Sequence, residues 1–307
     1  MTVPESVIVT VLGPIVPSDL GPTDAHEHVF LETPAQPDDT LADLDRAVAE
    51  LREGAASGLR GVVDLTPIGL GRQPELLRAA ANATGVHVVA ASGYHRDAHY
   101  VVGDWVFAAA EKELADRVIA DLRQGIDGSE IHAGVIKGGA SLNGPSAAEQ
   151  RRLAAIAAAG VTTGAAVVVH TEAGAGGPEI VELLAKEGLA AERTTLAHLD
   201  RNPDRPLHAR LLARGVNLVY DTIGREKYGP DSARVDLIAD MVEAGFGSQL
   251  VLGLDLGRRA YHRSYGGNPG LRHLMASFVP ALRERVGEDA VHSMLVANPA
   301  RLLAMPA

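Results

Sequence analysis

Short runs of aliphatic and β-branched residues alternate with longer amphipathic stretches along almost the whole chain. The runs predict eight strands: Thr23–Val29, Gly61–Thr66, His87–Ser92, Ala133–Lys137, Ala165–His170, Arg193–His198, Asn217–Asp221 and Gln249–Asp255. Between them, apolar residues return at helical spacing. Leu41, Leu44, Val48 and Leu51 recur at i, i+3, i+7 and i+10, and Leu114, Val118, Leu122 and Ile126 recur every four residues. Each set fits one buried helix face.

Local chemistry marks the boundaries. Ser146 with Glu149 three residues on reads as a capping box, and Gly160 reads as the stop of the same helix. Gly188, Gly215 and Gly245 end three further helical runs just before the next strand. Eight strands alternating with helices predict an α/β fold, a (β/α)8 TIM barrel rather than an open sheet. No linker or shift in composition divides residues 1–307, so they read as a single domain. The segment from Met1 to Pro14 alternates apolar residues with Thr and turns at Gly13-Pro14, which predicts a short β-hairpin ahead of the barrel rather than a signal peptide. The longer segments Gly93–Glu111 and Ile223–Ser232 read as βα loops over the active face.

Composition narrows the classes. The 307 residues are 46% hydrophobic and 22% charged, an ordinary globular balance. A net charge of −11 with no basic block argues against nucleic acid or an anionic membrane and leaves a small molecule as the expected partner. No apolar stretch reaches the roughly 18 residues that cross a bilayer, so the cytoplasm is the expected location. The chain has no cysteine, which excludes disulfides, thiol catalysis and sulfur-ligated metal.

The chemistry-bearing residues collect at strand ends, where such barrels place their sites. His26 and His28 close the first strand, Lys137 the fourth, His170 the fifth, His198 the sixth and Asp255 the eighth. The strand period of two sends His26 and His28 to one face and Glu27 to the other. Taken singly, a histidine at a strand end is more often a hydrogen-bonded structural residue. Six such groups on five strands converging on one opening are hard to explain that way. Lys137 is the least expected, because an inward ammonium at the end of an apolar strand is poorly solvated unless paired or modified. A lysine depressed toward its neutral amine can add carbon dioxide, and the resulting carbamate can bridge two cations.

These residues stand in motifs that resemble the phosphotriesterase family of the amidohydrolase superfamily: Gly21-Pro-Thr-Asp-Ala-His-Glu-His, Ile136-Lys-Gly-Gly-Ala-Ser, Val169-His-Thr-Glu-Ala-Gly, Ala197-His-Leu-Asp and Gly253-Leu-Asp-Leu-Gly-Arg-Arg. The resemblance spans nearly the whole chain. It implies a binuclear centre in which His26, His28 and Asp255 hold the more buried ion, His170 and His198 the more exposed one, and N6-carboxylated Lys137 bridges both. Some relatives carry Glu in place of that lysine. Nitrogen and oxygen donors suit zinc, the first expectation, and also manganese, cobalt or iron(II). A hydroxide shared by the ions is then the nucleophile, with Asp255 as metal ligand and proton acceptor. Relatives are often dimers, so a homodimer is one further expectation.

The loops after the seventh and eighth strands gather Arg225, Lys227, Arg258, Arg259 and Arg263 in an otherwise acidic chain. Loops at this place in barrels frequently bind phosphate. The bland reading makes these residues solvated charges pairing with neighbours such as Glu226 and Asp231. Ile223-Gly-Arg-Glu-Lys-Tyr-Gly-Pro-Asp-Ser is similar to the branch that hydrolyses phosphorylated sugar lactones, which implies Lys227, Arg258 and Tyr261 as the phosphate grip. Arg225 and, after the third strand, Tyr94 are further candidates for substrate contact; Tyr94 reads equally well as packing. The expected activity is hydrolysis of a phosphorylated sugar 1,4-lactone. The alternatives are a phosphotriesterase or neutral-lactone (acyl-homoserine lactone type) hydrolase and, from another class, a barrel that binds ligand without catalysis.

Overall fold

A computed structural model describes residues 5–307; Met1–Pro4, part of the expected N-terminal hairpin, lie outside the described residues. Strands β1 (Ser6–Thr10) and β2 (Gly13–Ile15) form that hairpin, with Ile8 opposite Ile15. Eight parallel strands follow: β3 (Thr23–Glu27), β4 (Gly61–Asp64), β5 (His87–Gly93), β6 (Val135–Ala140), β7 (Val167–Thr171), β8 (Thr194–Ala197), β9 (Asn217–Tyr220) and β10 (Leu250–Leu252). They pair in chain order, and Asp255 N donates to His26 O at 2.9 Å across the seam between last and first. The eight stretches expected from the sequence are these strands, most of them trimmed at their ends. A last strand, β11 (Met305–Pro306), adds antiparallel to β1. Its two residues carry no periodicity that a sequence pattern could register.

Near-continuous Val, Ile, Leu and Ala in the strands follows from burial on both faces. Alternate residues serve two cores. Val88, Ile136, Val167, Leu196, Leu218 and Leu250 face the surrounding helices. Val63, Val89, Val135, Val168, Val219 and Val251 fill the barrel, where Ile8, Leu20, Leu302 and Leu303 close its floor.

Local signals account for most helix ends. The Ser146 hydroxyl accepts from Glu149 N at 3.1 Å while Glu149 reaches back to Ser146 N, forming the expected box. Gly160 is not the stop: the helix runs Ala147–Thr163 and ends at Gly164, whose φ is 76°. A Cβ at Gly160 would lie 2.9 Å from Leu189 Cδ1 and 3.1 Å from Val167 Cγ2, so that glycine lets the helix press against strand and loop. Gly188, Gly215 and Gly245 do lie just beyond helix ends, at φ of 87–89°. No helix among the described residues is long and apolar enough to cross a membrane.

Candidate metal centre and substrate cleft

Alternation along the strands aims the site. Val135 packs inside the barrel, so Lys137, two residues on, also faces inward; Val168 and Val219 place His170 and Asp221 in the same way. In β3 the register shifts between Asp24 and Glu27, and Ala25 packs with the barrel interior although His26 and His28 face the mouth. His198 and Asp255 lie just past their strands at φ of 65° and 50°, left-handed conformations uncommon for non-glycine residues. Strained backbone of this kind concentrates at functional sites. Gly93 makes room for Lys137: a Cβ there would sit 2.1 Å from Lys137 O.

The four histidines share a common arrangement. His26 Nδ1 lies 2.6 Å from Asp221 Oδ2, and His198 Nδ1 lies 2.8 Å from Asp221 Oδ1. His28 Nδ1 meets the Thr66 hydroxyl at 2.9 Å, and that hydroxyl donates to Phe30 O. His170 Nε2 meets Glu172 Oε2 at 3.0 Å. With each outer nitrogen held by an oxygen, the inner lone pairs point into the mouth. His26 Nε2 lies 3.0 Å from Lys137 Nζ and 3.6 Å from Asp255 Oδ1, and His28 Nε2 lies 3.3 Å from Asp255 Oδ1. His170 Nδ1 faces His198 Nε2 at 2.8 Å. With their outer nitrogens bonded to carboxylates, both inner nitrogens can present lone pairs to a cation, and an imidazole tied at its far nitrogen is the usual form of a metal ligand.

The donor atoms therefore fit metal ions. His26, His28 and Asp255 form one group close enough to hold an ion; His26, His198 and Asp221 form a second. In the second group Asp221 already accepts from both outer nitrogens, so its geometry is that of an orienting residue. The expected ligands His26, His28, Lys137, His170, His198 and Asp255 all line the same cleft.

Electrostatics agree with this arrangement. Burial pushes the Lys137 amine down to about 8, against the pull of Asp255, Asp221 and Asp64. Its side chain is 0% exposed, and its hydrogen bond is to His26. Burial and the Lys137 charge push His26 down to about 3, leaving it neutral and free to ligate. Burial would raise Asp255, but Arg225, His26 and His28 outweigh it and hold that carboxyl well below its ordinary range.

The substrate candidates divide. Lys227, Arg258 and Tyr261 line the cleft, with Lys227 Nζ 5.4 Å from the centre of the Tyr261 ring. Arg225 lines it too, but as a buried residue whose guanidinium donates to Asp255 Oδ2 and to Asp221 O, each at 2.9 Å. Tyr94 does not reach the cleft. It is 1% exposed, its hydroxyl donates to Leu114 O at 2.9 Å, and its ring packs near Trp105. Arg259 and Arg263 turn away, to Thr40 O and Glu53.

No expectation from the sequence covers Asp221, Thr66 or Glu172, nor Arg96, His99 and Arg201 in the cleft wall. Asp221 and Thr66 end the seventh and second expected strands, the same signal that marked the ligands.

The sequence model of the Phosphotriesterase family matches residues 6–303. The chain belongs to the phosphotriesterase family. It is 29% identical to a phospho-furanose lactonase of Mycoplasmopsis synoviae, over 96% of this chain and 91% of the relative. A lactonase from Listeria monocytogenes superposes with a TM-score of 0.93 at 29% identity, covering 97% of this chain and 99% of the other. A phosphotriesterase homology protein of Escherichia coli, crystallised with phosphate in its active site, superposes with a TM-score of 0.88 at 29% identity, covering 93% and 99%. This phosphotriesterase-family chain is thus a hydrolase of ester bonds of the lactonase and phosphotriesterase type.

Proposed function

We infer that the protein hydrolyses a phosphorylated sugar 1,4-lactone at a binuclear metal centre. The observation that carries this reading is that one cleft holds both the donor set around Lys137 and the cations Lys227 and Arg258 with Tyr261. His26, His28 and Asp255 would hold one ion, His170 and His198 the other, and Lys137, carboxylated, would bridge them. Two divalent ions there, zinc or a similar metal, supply an acidified water and a polarised carbonyl.

The chain's own groups do the rest. Arg225 keeps Asp255 ionised, so its carboxylate can take the proton of the attacking water and return it to the ring oxygen as the carbonyl carbon–oxygen bond breaks. Lys227 and Arg258 supply charge-assisted donors for a terminal phosphate. Thr33, Gln36, Arg96, His99 and Arg201 offer partners to ring hydroxyls, whereas the aliphatic residues of the wall are Leu31 and Leu70. That polarity favours a sugar over a long acyl chain. The phospho-furanose lactonase relative and the phosphate-bound relative support the same reading.

Lys227→Ala tests it. Loss of one charged hydrogen bond, about 1.5–3 kcal/mol, should raise KM about 10- to 100-fold for a phosphorylated lactone and leave its unphosphorylated counterpart within about twofold. Equal loss on both substrates would remove the phosphate grip from the account.

A further inference from the structure

His170 differs from its three partners in how it is held. Asp221 and Thr66 are buried residues at strand ends, but Glu172 sits two residues beyond His170 in the turn Glu172–Gly174, at 20% side-chain exposure. A lone carboxylate on such a turn has several rotamers open to it. Here Arg96 NH2 contacts Glu172 Oε2 at 3.0 Å and Arg201 NH1 contacts Oε1 at 3.2 Å, so both oxygens are engaged. Arg201 also stacks on the Tyr228 ring at 4.6 Å, and Lys227 Nζ lies 4.6 Å from the same ring.

We propose that Glu172 is a positioning residue for the second metal: it fixes His170 with its proton on Nε2 and its lone pair on Nδ1, and Arg96 and Arg201 hold it in that pose. The inference rests on the two-metal reading above. Without the carboxylate, the ring can flip or change tautomer, and the pairing of Nδ1 with His198 Nε2 is lost for part of the time. The damage falls on the His170–His198 ion alone, because His26, His28 and Asp255 keep their own partners. The Arg201–Tyr228 contact adds that the same carboxylate is tied to the loop carrying Lys227, so the metal ligand and the phosphate grip share one support.

Zinc titration against a chromogenic chelator, on wild type, Glu172→Ala and Glu172→Gln, tests this. Wild type should take up two equivalents. Glu172→Ala should keep one at wild-type affinity and bind the other about 10- to 100-fold more weakly, the usual effect of removing an orienting partner. Glu172→Gln, which keeps an acceptor oxygen but sheds both ion pairs, should fall between. On turnover, kcat should fall in Glu172→Ala and recover at high zinc. Two equivalents at unchanged affinity in Glu172→Ala, or parallel weakening of both, overturns this inference and leaves the two-metal reading standing. A wild-type chain that takes up fewer than two equivalents overturns both.

Discussion

The two ends of the barrel are built from the same strands to opposite ends. At the floor, Val63, Val89, Val135, Val168, Val219 and Val251 meet Ile8, Leu20, Leu302 and Leu303 in an apolar core. At the mouth, one further inward step along β6 and β7 brings Lys137 and His170, and the same step from Val219 brings Asp221. Two residues of strand, about 6.6 Å, separate packing from chemistry. The floor is held by shape and tolerates the loss of no methyl groups cheaply. The mouth is held by hydrogen-bonded oxygens behind each imidazole, and its worth lies in lone pairs that point inward. Substitutions at the floor should therefore read out in stability, and substitutions at the mouth in metal content and turnover.

The sharpest way to break that division is Lys137→Ala. In the metal-free protein it removes a buried amine from beside His26, so the folding stability of that form should hold or rise. On the proposed mechanism hydrolysis should fall about 1000-fold or more, since the nucleophile there is supplied by the metal ions that Lys137 would bridge. Calorimetry beside lactone turnover checks both halves. Ile8→Ala is the opposite case. Deleting a fully buried side chain should cost about 2–5 kcal/mol in urea unfolding while turnover of the folded protein stays within about twofold. A large fall in turnover with little loss of stability would erase the contrast between the two ends.

A smaller effect concerns pH. Carbon dioxide adds to the neutral amine, and the Lys137 amine sits at about 8, lowered by burial. About one eleventh is neutral at pH 7 and about ten elevenths at pH 9, so at a fixed concentration of dissolved carbon dioxide the rate of reactivation of metal-free protein by zinc should rise about tenfold over that span and level off above it. A rate still climbing toward pH 10 would indicate an unperturbed lysine.

Much of this division was legible in the sequence. Periodicity located the eight strands, and polar residues at the ends of apolar runs located His26, His28, Lys137, His170, His198 and Asp255, because burial on both faces leaves polar groups room only at the mouth. A glycine that ends a helix and one that admits a neighbour look alike in a chain, as Gly160 and Gly164 do; φ and the Leu189 contact tell them apart. Tyr94 was open between pocket and packing, and its direction depends on Leu114, 20 residues away. Asp221 showed the right signal, yet its work of holding His26 and His198 spans 195 and 23 residues, distances at which no local pattern acts. Arg225 looked like one of five loop cations; only the fold turns it inward onto Asp255.

The most direct measurement is a crystal structure of the zinc-loaded protein with data collected at the zinc absorption edge. The account predicts two anomalous peaks, one among His26, His28 and Asp255 and one between His170 and His198. Continuous density should extend from Lys137 Nζ to a carboxylate between them. A bare Lys137 amine still bonded to His26, with no peak beside it, would contradict the account.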